Sequence, residues 1–552
     1  MARFSRFWRS PWSYFLGLSI LKLWLIGHLP IRASYAGYDN LRYVILASNF
    51  LALNVPYDSF TLVRQPGYPA FIFLSYLLGI PLRFSQEIIY LAGGFILAWS
   101  CHKYYFNKSI TFIFSILYIF APFSFHWNRQ TLADVLYLPL TAWIVACLIH
   151  ISNSKTDRTL IAWSLGLGIG LAWFWNTRLE GIWIVPSIAF IYSILALKYW
   201  FYQHKIEFKK SAIVFAAIVL PVVVVTSGIS WINYTRYGIF DTNDLKSAGV
   251  EEAYSSLEKV TSKKWQPMVE ISRSMRERVY AISPSFRQLQ PYIESDNHWR
   301  KSSCESGICD DYAAGLFYWV LRESVAQAGY YQSAPKTEQF YHQIAREIDT
   351  ACHAKTLNCE FEKPLAFLPD FHFQYIPLWV NSIGKLSHRL MQSSLVLKLD
   401  SGEEDRELRE QYYAQITREP ANFFNERSYL VNQFKDRSIF AISRIFNLGF
   451  TVLLGLSSIG FGLEAIALVR TKFRDRSISF AFLGLLLSCI VIRVVLIAYI
   501  DVTSWFVDSG DRYLRPILPM FWLVICIGLT CFWKCFDRLL LTARNTRMTD
   551  NK

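Results

Sequence analysis

Charge is scarce in this chain: 18% of its 552 residues are Asp, Glu, Lys or Arg, against 53% that are hydrophobic and 17% that are aromatic. With a mean hydropathy of +0.24, the sequence is too apolar for a soluble protein of this length and belongs in a bilayer. Several signatures are also missing. There is no Walker loop, no HExxH zincin motif and no GxSxG elbow, which disfavours nucleotide-powered transport. No small-residue cleavage site follows the first apolar run, Trp12 to Leu29, which Arg3, Arg6 and Arg9 precede. That run reads as a signal anchor with its N-terminus inside. The apolar stretches lack the alternation of barrel strands and run on for about 17 to 25 residues, the length a hydrocarbon core of roughly 30 Å asks of a helix.

The formal net charge is +14, yet nucleic acid is not the implied partner. About two-thirds of the acidic residues fall between Trp231 and Phe440, which leaves the basic excess on the membrane part, where it reports topology. Candidate segments lie at 12–29, 66–82, 85–101, 109–125, 132–151, 159–175, 181–198, 211–232, 441–469, 477–499 and 514–536. If all eleven crossed, the clusters Lys205/Lys209/Lys210 and Arg470/Lys472/Arg474/Arg476 would lie outside, against the positive-inside rule. Segment 66–82 is short and bracketed by Pro66-Gly67-Tyr68-Pro69 and Gly79-Ile80-Pro81, so it is expected to be a broken or surface-lying helix. Ten spans remain, eleven if 66–82 also crosses. The outside segments are then 30–84, 126–131, 176–180, 233–440 and 500–513.

The expected fold is therefore an all-α polytopic membrane protein in three parts. Residues 1–232 form an N-terminal transmembrane module with the first outside loop at 30–84. Residues 233–440 form a large, mostly helical extracytoplasmic domain, with helices over Tyr312 to Gly329 and Lys336 to Ala354. Residues 441–552 supply the last transmembrane helices and a cytoplasmic tail. The acidic run Asp400 to Glu410 reads as a solvated helix or loop.

Ionisable residues collect on the outside face. Asp39, in Tyr38-Asp39-Asn40, opens an amphipathic stretch through Phe50; there it either caps a helix or acts chemically. Asp134, preceded by His126, Asn128 and Arg129, stands at the outer end of a span, where a carboxylate needs a partner such as Arg129 or Arg178, or faces a cavity shared with Asp39. Arg178 and Glu180 sit where one helix emerges and the next begins, close enough to pair with each other. Arg512 and Arg515 flank Tyr513 at a membrane boundary, where they either snorkel to headgroups or clasp an anionic lipid phosphate with the guanidinium fork.

Six cysteines (Cys101, Cys147, Cys489, Cys526, Cys531, Cys535) lie in or beside apolar segments and read as packing residues. Cys304, Cys309, Cys352 and Cys359 form two close pairs in the polar region, as expected of disulfides in an oxidising compartment. Four cysteines allow three pairings, and a zinc site is the rival reading.

The order of these features resembles the GT-C superfamily of membrane glycosyltransferases, which includes the protein O-mannosyltransferases and the lipid A aminoarabinose transferases. The matching features, in order, are Tyr38-Asp39 after the first helix, Pro66 to Pro69, Leu132-Ala133-Asp134, Arg178-Leu179-Glu180-Gly181, and Arg512-Tyr513-Leu514-Arg515-Pro516. The resemblance implies a GT-C-like helix bundle and an inverting transfer of a hexose or pentose from a polyprenyl-phosphate donor to a hydroxyl on a lipid, glycan or protein. It places the active site on the periplasmic face of a bacterial inner membrane. In this reading Asp39 is the base and Asp134 a second catalytic acid. Arg512, Arg178, Arg64 and Tyr513 receive the donor phosphate, supported by Glu180, His126 and Arg129. Some members hold a divalent metal ion beside the acid, which one Asp with a distant Asp134 or His126 does not establish. Asp39-Asn40 also departs from the acidic pair of the O-mannosyltransferases, and the 233–440 region reads as helical where those enzymes carry a β-trefoil. A polysaccharide polymerase or ligase and a lipid-linked substrate transporter or flippase are the alternative functions.

Overall fold

The computed structural model describes residues 11–29, 31, 37–52, 55–186, 188–189, 208–262, 265–360, 369, 371–392, 414–419, 430–470, 477–504 and 510–549. Most of segment 181–198, the acidic run 400–410, the basic residues Lys205, Lys472, Arg474 and Arg476, and Asp508-Ser509 lie outside the described residues.

The long helices are apolar over lengths that match a membrane. They are α1 (Pro11–Ile26), α4 (Leu82–Tyr104), α5 (Lys108–Ile119) continued by α6 (Pro122–Trp127), α7 (Asp134–Ser152), α8 (Asp157–Trp175), α9 (Phe208–Tyr237), α16 (Leu430–Arg470), α17 (Ser477–Thr503) and α19 (Leu518–Thr549). Among the described residues six helices are long and apolar enough to cross a membrane, or seven if one bent pair counts as a single span. The protein is thus an integral membrane protein. The ten expected crossings also draw on α1, which has 16 residues, on α8, whose first turn carries Asp157 and Arg158, and on segment 181–198. Helix starts follow local chemistry: the Asn107 side chain caps α5 by accepting from Ile110 N at 2.9 Å, and Thr156 caps α8 from Thr159 N at 3.3 Å.

The bent pair settles the form of segment 66–82. Its helix, α3 (Gly67–Leu77), has 11 residues, too few to span, and meets α4 at 113°. Gly79 at φ +72 ends α3, and Pro81 stands just before α4, so the sharp corner falls where a left-handed residue and a missing N–H are tolerated. Gly67 N donates to Asn176 O at 2.6 Å, and a Cβ on Gly67 would lie 2.5 Å from that oxygen. Only glycine lets the Pro66 turn rest on the end of α8, and this contact holds Arg64 and Arg178 in one neighbourhood.

α16 has 41 residues, roughly 60 Å at 1.5 Å per residue, about twice a hydrocarbon core. Its first turns therefore project beyond the membrane, where Asp436 Oδ1 lies 2.8 Å from His28 Nε2 at the end of α1. In the bundle interior Lys22 of α1 pairs with Glu87 of α4 at 3.2 Å, both fully buried, and Asn128 Nδ2 donates to the other Glu87 oxygen at 2.6 Å. A charge pair inside a membrane bundle persists only when its hydrogen bonds are met, and here Ile119 O also accepts from Lys22 at 2.8 Å.

Between α9 and α16 lies a separate helical body with its own core. It comprises α10 (Ala248–Glu258), α11 (Arg273–Ile282), α12 (His298–Glu305), α13 (Ala314–Gln327) and α14 (Ala334–His353), packed around Tyr254, Leu257, Phe317, Leu321, Tyr341 and Ile344. The expected helices over 312–329 and 336–354 are α13 and α14. No β-strand occurs among the described residues, only isolated bridges such as Val260 with Cys359. The disulfides are Cys304–Cys309 and Cys352–Cys359, each joining near neighbours. This pairing removes the zinc reading of the four thiolates. Cys101, Cys147, Cys489 and Cys526 form no disulfide and are buried in the membrane bundle, in keeping with packing. The amphipathic helix α15 (Ile376–Gln392) packs with the membrane core instead: Trp379 Nε1 donates to Val495 O at 3.0 Å, and Ser382 to Asp501 at 2.8 Å.

The loop that follows α1 is hydrogen-bonded to this helical body around a buried ion pair that lies within the body. Arg322 of α13 donates to both Asp244 oxygens at 2.8 Å and to Ser59 O, and Tyr57 donates to Asp244 at 2.8 Å. Both charged side chains are about 3% exposed. Replacing Asp244 with Ala strands the guanidinium, so a loss of about 3–5 kcal/mol is expected. It should appear as a lower unfolding midpoint of the purified protein, and an unchanged midpoint would contradict this linkage.

Candidate active site at the outer end of the bundle

Four segments that the sequence reading put on one face converge at one end of the membrane bundle. Asp39 stands in the first turn of α2 (Gly37–Ser48), where a carboxylate meets the positive end of the helix dipole. It makes a short ion pair with Arg64, from the loop that leads into α3. Asp39 and Arg64 are each between a fifth and a quarter exposed, so the pair faces a solvent-accessible cleft. Arg64 Nε has no hydrogen-bond partner among the described residues, although it is buried.

Beside this pair lies a second cluster. Asp134, at the first position of α7, receives one arginine on each oxygen: Arg178 Nη1 on Oδ1 and Arg512 Nε on Oδ2, both at 2.8 Å. Arg178 also grips Glu180 with two donors, at 3.0 and 3.2 Å. Glu180 in turn accepts from Arg493 of α17 at 2.9 Å, and Arg493 Nε reaches Tyr513 O at 3.0 Å. The Tyr513 ring carries the Arg178 and Arg512 guanidiniums at 5.3 and 5.5 Å. Tyr43, one turn after Asp39 on α2, feels the charges of Arg64, Asp39, Arg178 and Arg512, so the two clusters share one electrostatic neighbourhood. Burial pushes its hydroxyl above the ordinary tyrosine range.

The structure thus brings together Asp39, Arg64, Asp134, Arg178, Glu180, Arg512 and Tyr513. His126 and Arg129 belong to the turn before α7: His126 packs edge-on against Trp127, and Arg129 Nε donates to Phe125 O at 2.9 Å. Of the two partners weighed for Asp134, Arg178 is the one that pairs with it. Arg515 is buried with its guanidinium over the Trp127 ring at 3.3 Å. Arg493 escaped the sequence reading although it carries a signal, a lone arginine within the apolar run 477–499. It is fully buried and its Nη1 lacks a hydrogen-bond partner among the described residues.

Burial alone would raise the Glu180 carboxyl, but Arg178 and Arg493 outweigh it and hold the group below the usual glutamate range. A carboxyl depressed in the folded state adds stability above its unfolded pKa, and that stability is lost as pH falls through the folded value. The site should therefore hold from neutral pH down through the ordinary glutamate range and loosen only in more acidic solution. Glu180→Gln should flatten this acid limb of a pH-resolved unfolding series, and an identical limb in the variant would count against the network.

Two cavities meet at Arg64. One is an apolar groove of about 450 Å³ between α2, α3, α8 and α9, walled by residues such as Phe50, Leu74, Ile169, Trp173 and Val225. α9 is mostly exposed along its apolar length, so the groove lies beside the lipid phase. The other, of about 260 Å³, lies between the site and the helical body and is lined by Leu179, Trp319, Tyr318, Glu258 and Glu270. Arg64 borders both.

Among the described residues no group of three or more His, Cys, Asp or Glu comes together to hold a metal ion. Both acids are committed to arginines, so a divalent cation does not fit this donor set as it stands.

No protein-family model matches the sequence, and no curated protein matches it. Two solved structures of ArnT from Cupriavidus metallidurans are similar to this chain. The apo state aligns with a TM-score of 0.34 at 10% identity, and the state bound to undecaprenyl phosphate with a TM-score of 0.31 at 12% identity. Each alignment covers 93% of this chain and 76% of the other. A likeness this distant fixes neither the family nor the reaction.

Proposed function

We propose that this protein is an inverting membrane glycosyltransferase that moves a sugar from a polyprenyl-phosphate donor to an acceptor hydroxyl at the outer face of the membrane. The observation that carries this reading is the position of Arg64, ion-paired to Asp39 at the meeting point of an apolar groove and a second cavity lined by aromatic and charged side chains. A polyprenyl chain suits the groove, its phosphate suits the arginine at the groove's end, and its sugar then enters the second cavity.

The free site keeps Asp39 neutralised by Arg64. A lipid phosphate offers Arg64 a better bidentate partner, and the exchange releases the Asp39 carboxylate. Asp39 then takes the proton of the acceptor hydroxyl as that oxygen attacks the anomeric carbon. The bond from that carbon to the phosphate oxygen breaks, its electron pair stays on the phosphate, and the configuration inverts. Arg178 and Arg512 offset the developing charge. Asp134, held by both, is a positioning residue that fixes them before substrate arrives. Arg493 does the same for Glu180 and for the Tyr513 backbone.

The two disulfides of the helical body form in an oxidising compartment. They support an outside location for that body and the adjoining site, which in a bacterial inner membrane is the periplasmic face. The test is to supply purified protein in nanodiscs with a panel of polyprenyl-phosphate hexoses and pentoses and to follow sugar release or transfer by mass spectrometry. Turnover of one member supports the reading. Turnover of none, with no binding of any, refutes it.

A further inference from the structure

We infer that the cavity between the helical body and the site is a subsite for one hydroxyl-rich sugar ring, so that recognition of the ring is set by α10 and α13 and not by the membrane helices. The inference rests on the glycosyltransferase reading. Its observations are the cavity's size, its lining and its attachment to Arg64.

A volume of about 260 Å³ is on the scale of one sugar ring with its hydroxyls. Trp319 and Tyr318 of α13 form an aromatic wall, with the two rings edge to face at 5.4 Å, and the C–H faces of a sugar pack against such surfaces. Glu258 and Glu270 add carboxylate acceptors on the same lining, Lys246 and Arg64 add donors, and both acids act electrostatically on the buried Tyr254. Sugar hydroxyls both donate and accept, so a lining that offers charged groups of both kinds suits them. Trp319 also lies 5.1 Å beneath the Arg64 guanidinium, so a ring in this cavity is one residue away from the group that takes the phosphate. That spacing suits a phosphate and the sugar it carries.

The ring can belong to the donor or to a glycan acceptor, and the experiment separates them. Full-length protein, Trp319→Ala and Glu270→Gln, all in nanodiscs, are titrated with bare polyprenyl phosphate and with its glucose and mannose conjugates. The expected result is a loss of about tenfold or more for the sugar conjugates in both variants, with bare lipid phosphate bound as before. In the transfer assay a raised KM for the donor assigns the ring to the donor, and a raised KM for the acceptor assigns it to the acceptor. Equal losses for bare and sugar-bearing lipid, or no loss in either assay, overturn the inference while leaving the glycosyltransferase reading intact. If the unsubstituted protein fails to bind even bare polyprenyl phosphate, both fall together.

Discussion

Asp39→Asn is expected to lower kcat by roughly 10²–10⁴-fold, the range a general base supplies, while the protein remains monodisperse with an unfolding midpoint close to that of the parent. Asn keeps the shape and a hydrogen-bond acceptor for Arg64, so folding and the entry to the groove survive. It has no basic oxygen to accept the acceptor's proton. The donor KM should change little or fall, because Arg64, no longer neutralised by a carboxylate, is left free for phosphate. This split between kcat and KM separates a base from a mere helix cap. A residue that only capped the helix would leave both stability and turnover close to the parent's, since Asn caps as well as Asp. Full activity in the variant would remove Asp39 from the chemistry.

Asp134→Leu should produce the largest loss of stability among single changes at the site. Arg512 loses its carboxylate and Arg178 loses one of two. Since Arg512 is under a tenth exposed, an unpaired guanidinium there costs about 3–5 kcal/mol. Adding Arg512→Leu should recover part of the thermal midpoint, because an apolar pair in place of a buried ion pair is often close to neutral. Activity should not return with it, since the group that faces the phosphate is gone. Recovery of both stability and turnover in the double variant would show the pair to be structural only.

Much of the fold was legible because the membrane imposes a strong pattern. Most of the apolar runs became helices close to their expected ends, although α16 starts 11 residues before its run at 441–469 and α19 continues 13 residues past its run at 514–536, and the Pro and Gly brackets around 66–82 became the sharp corner between α3 and α4. The pairing of Asp134 with Arg178 and of Arg178 with Glu180 followed from the cost of leaving a charge alone at that depth. The disulfide connectivity was open in the sequence, and helix ends decided it: α12 and α14 each stop between the two cysteines of a pair.

What the sequence concealed depends on contacts between distant segments. Lys22 and Glu87 are charges inside apolar runs, a readable warning, but nothing in either run names the other as its partner. Arg493 meets Glu180 across 313 positions. The second cavity draws Arg64 from the first outside loop, Glu258 from α10 and Trp319 from α13, and no local pattern announces that these three will share one wall. The division of the outside region was hidden in the same way, because α15 is amphipathic and its apolar face fits the domain core or the membrane bundle equally well by pattern alone.

The most direct test of the central claim is the structure of the protein with polyprenyl phosphate bound, determined by cryo-electron microscopy in a nanodisc. The account predicts the prenyl chain in the groove between α2, α3, α8 and α9, the phosphate on Arg64, and the Asp39 carboxylate released from that arginine. A lipid phosphate seated elsewhere, with the Asp39–Arg64 pair intact, would contradict it.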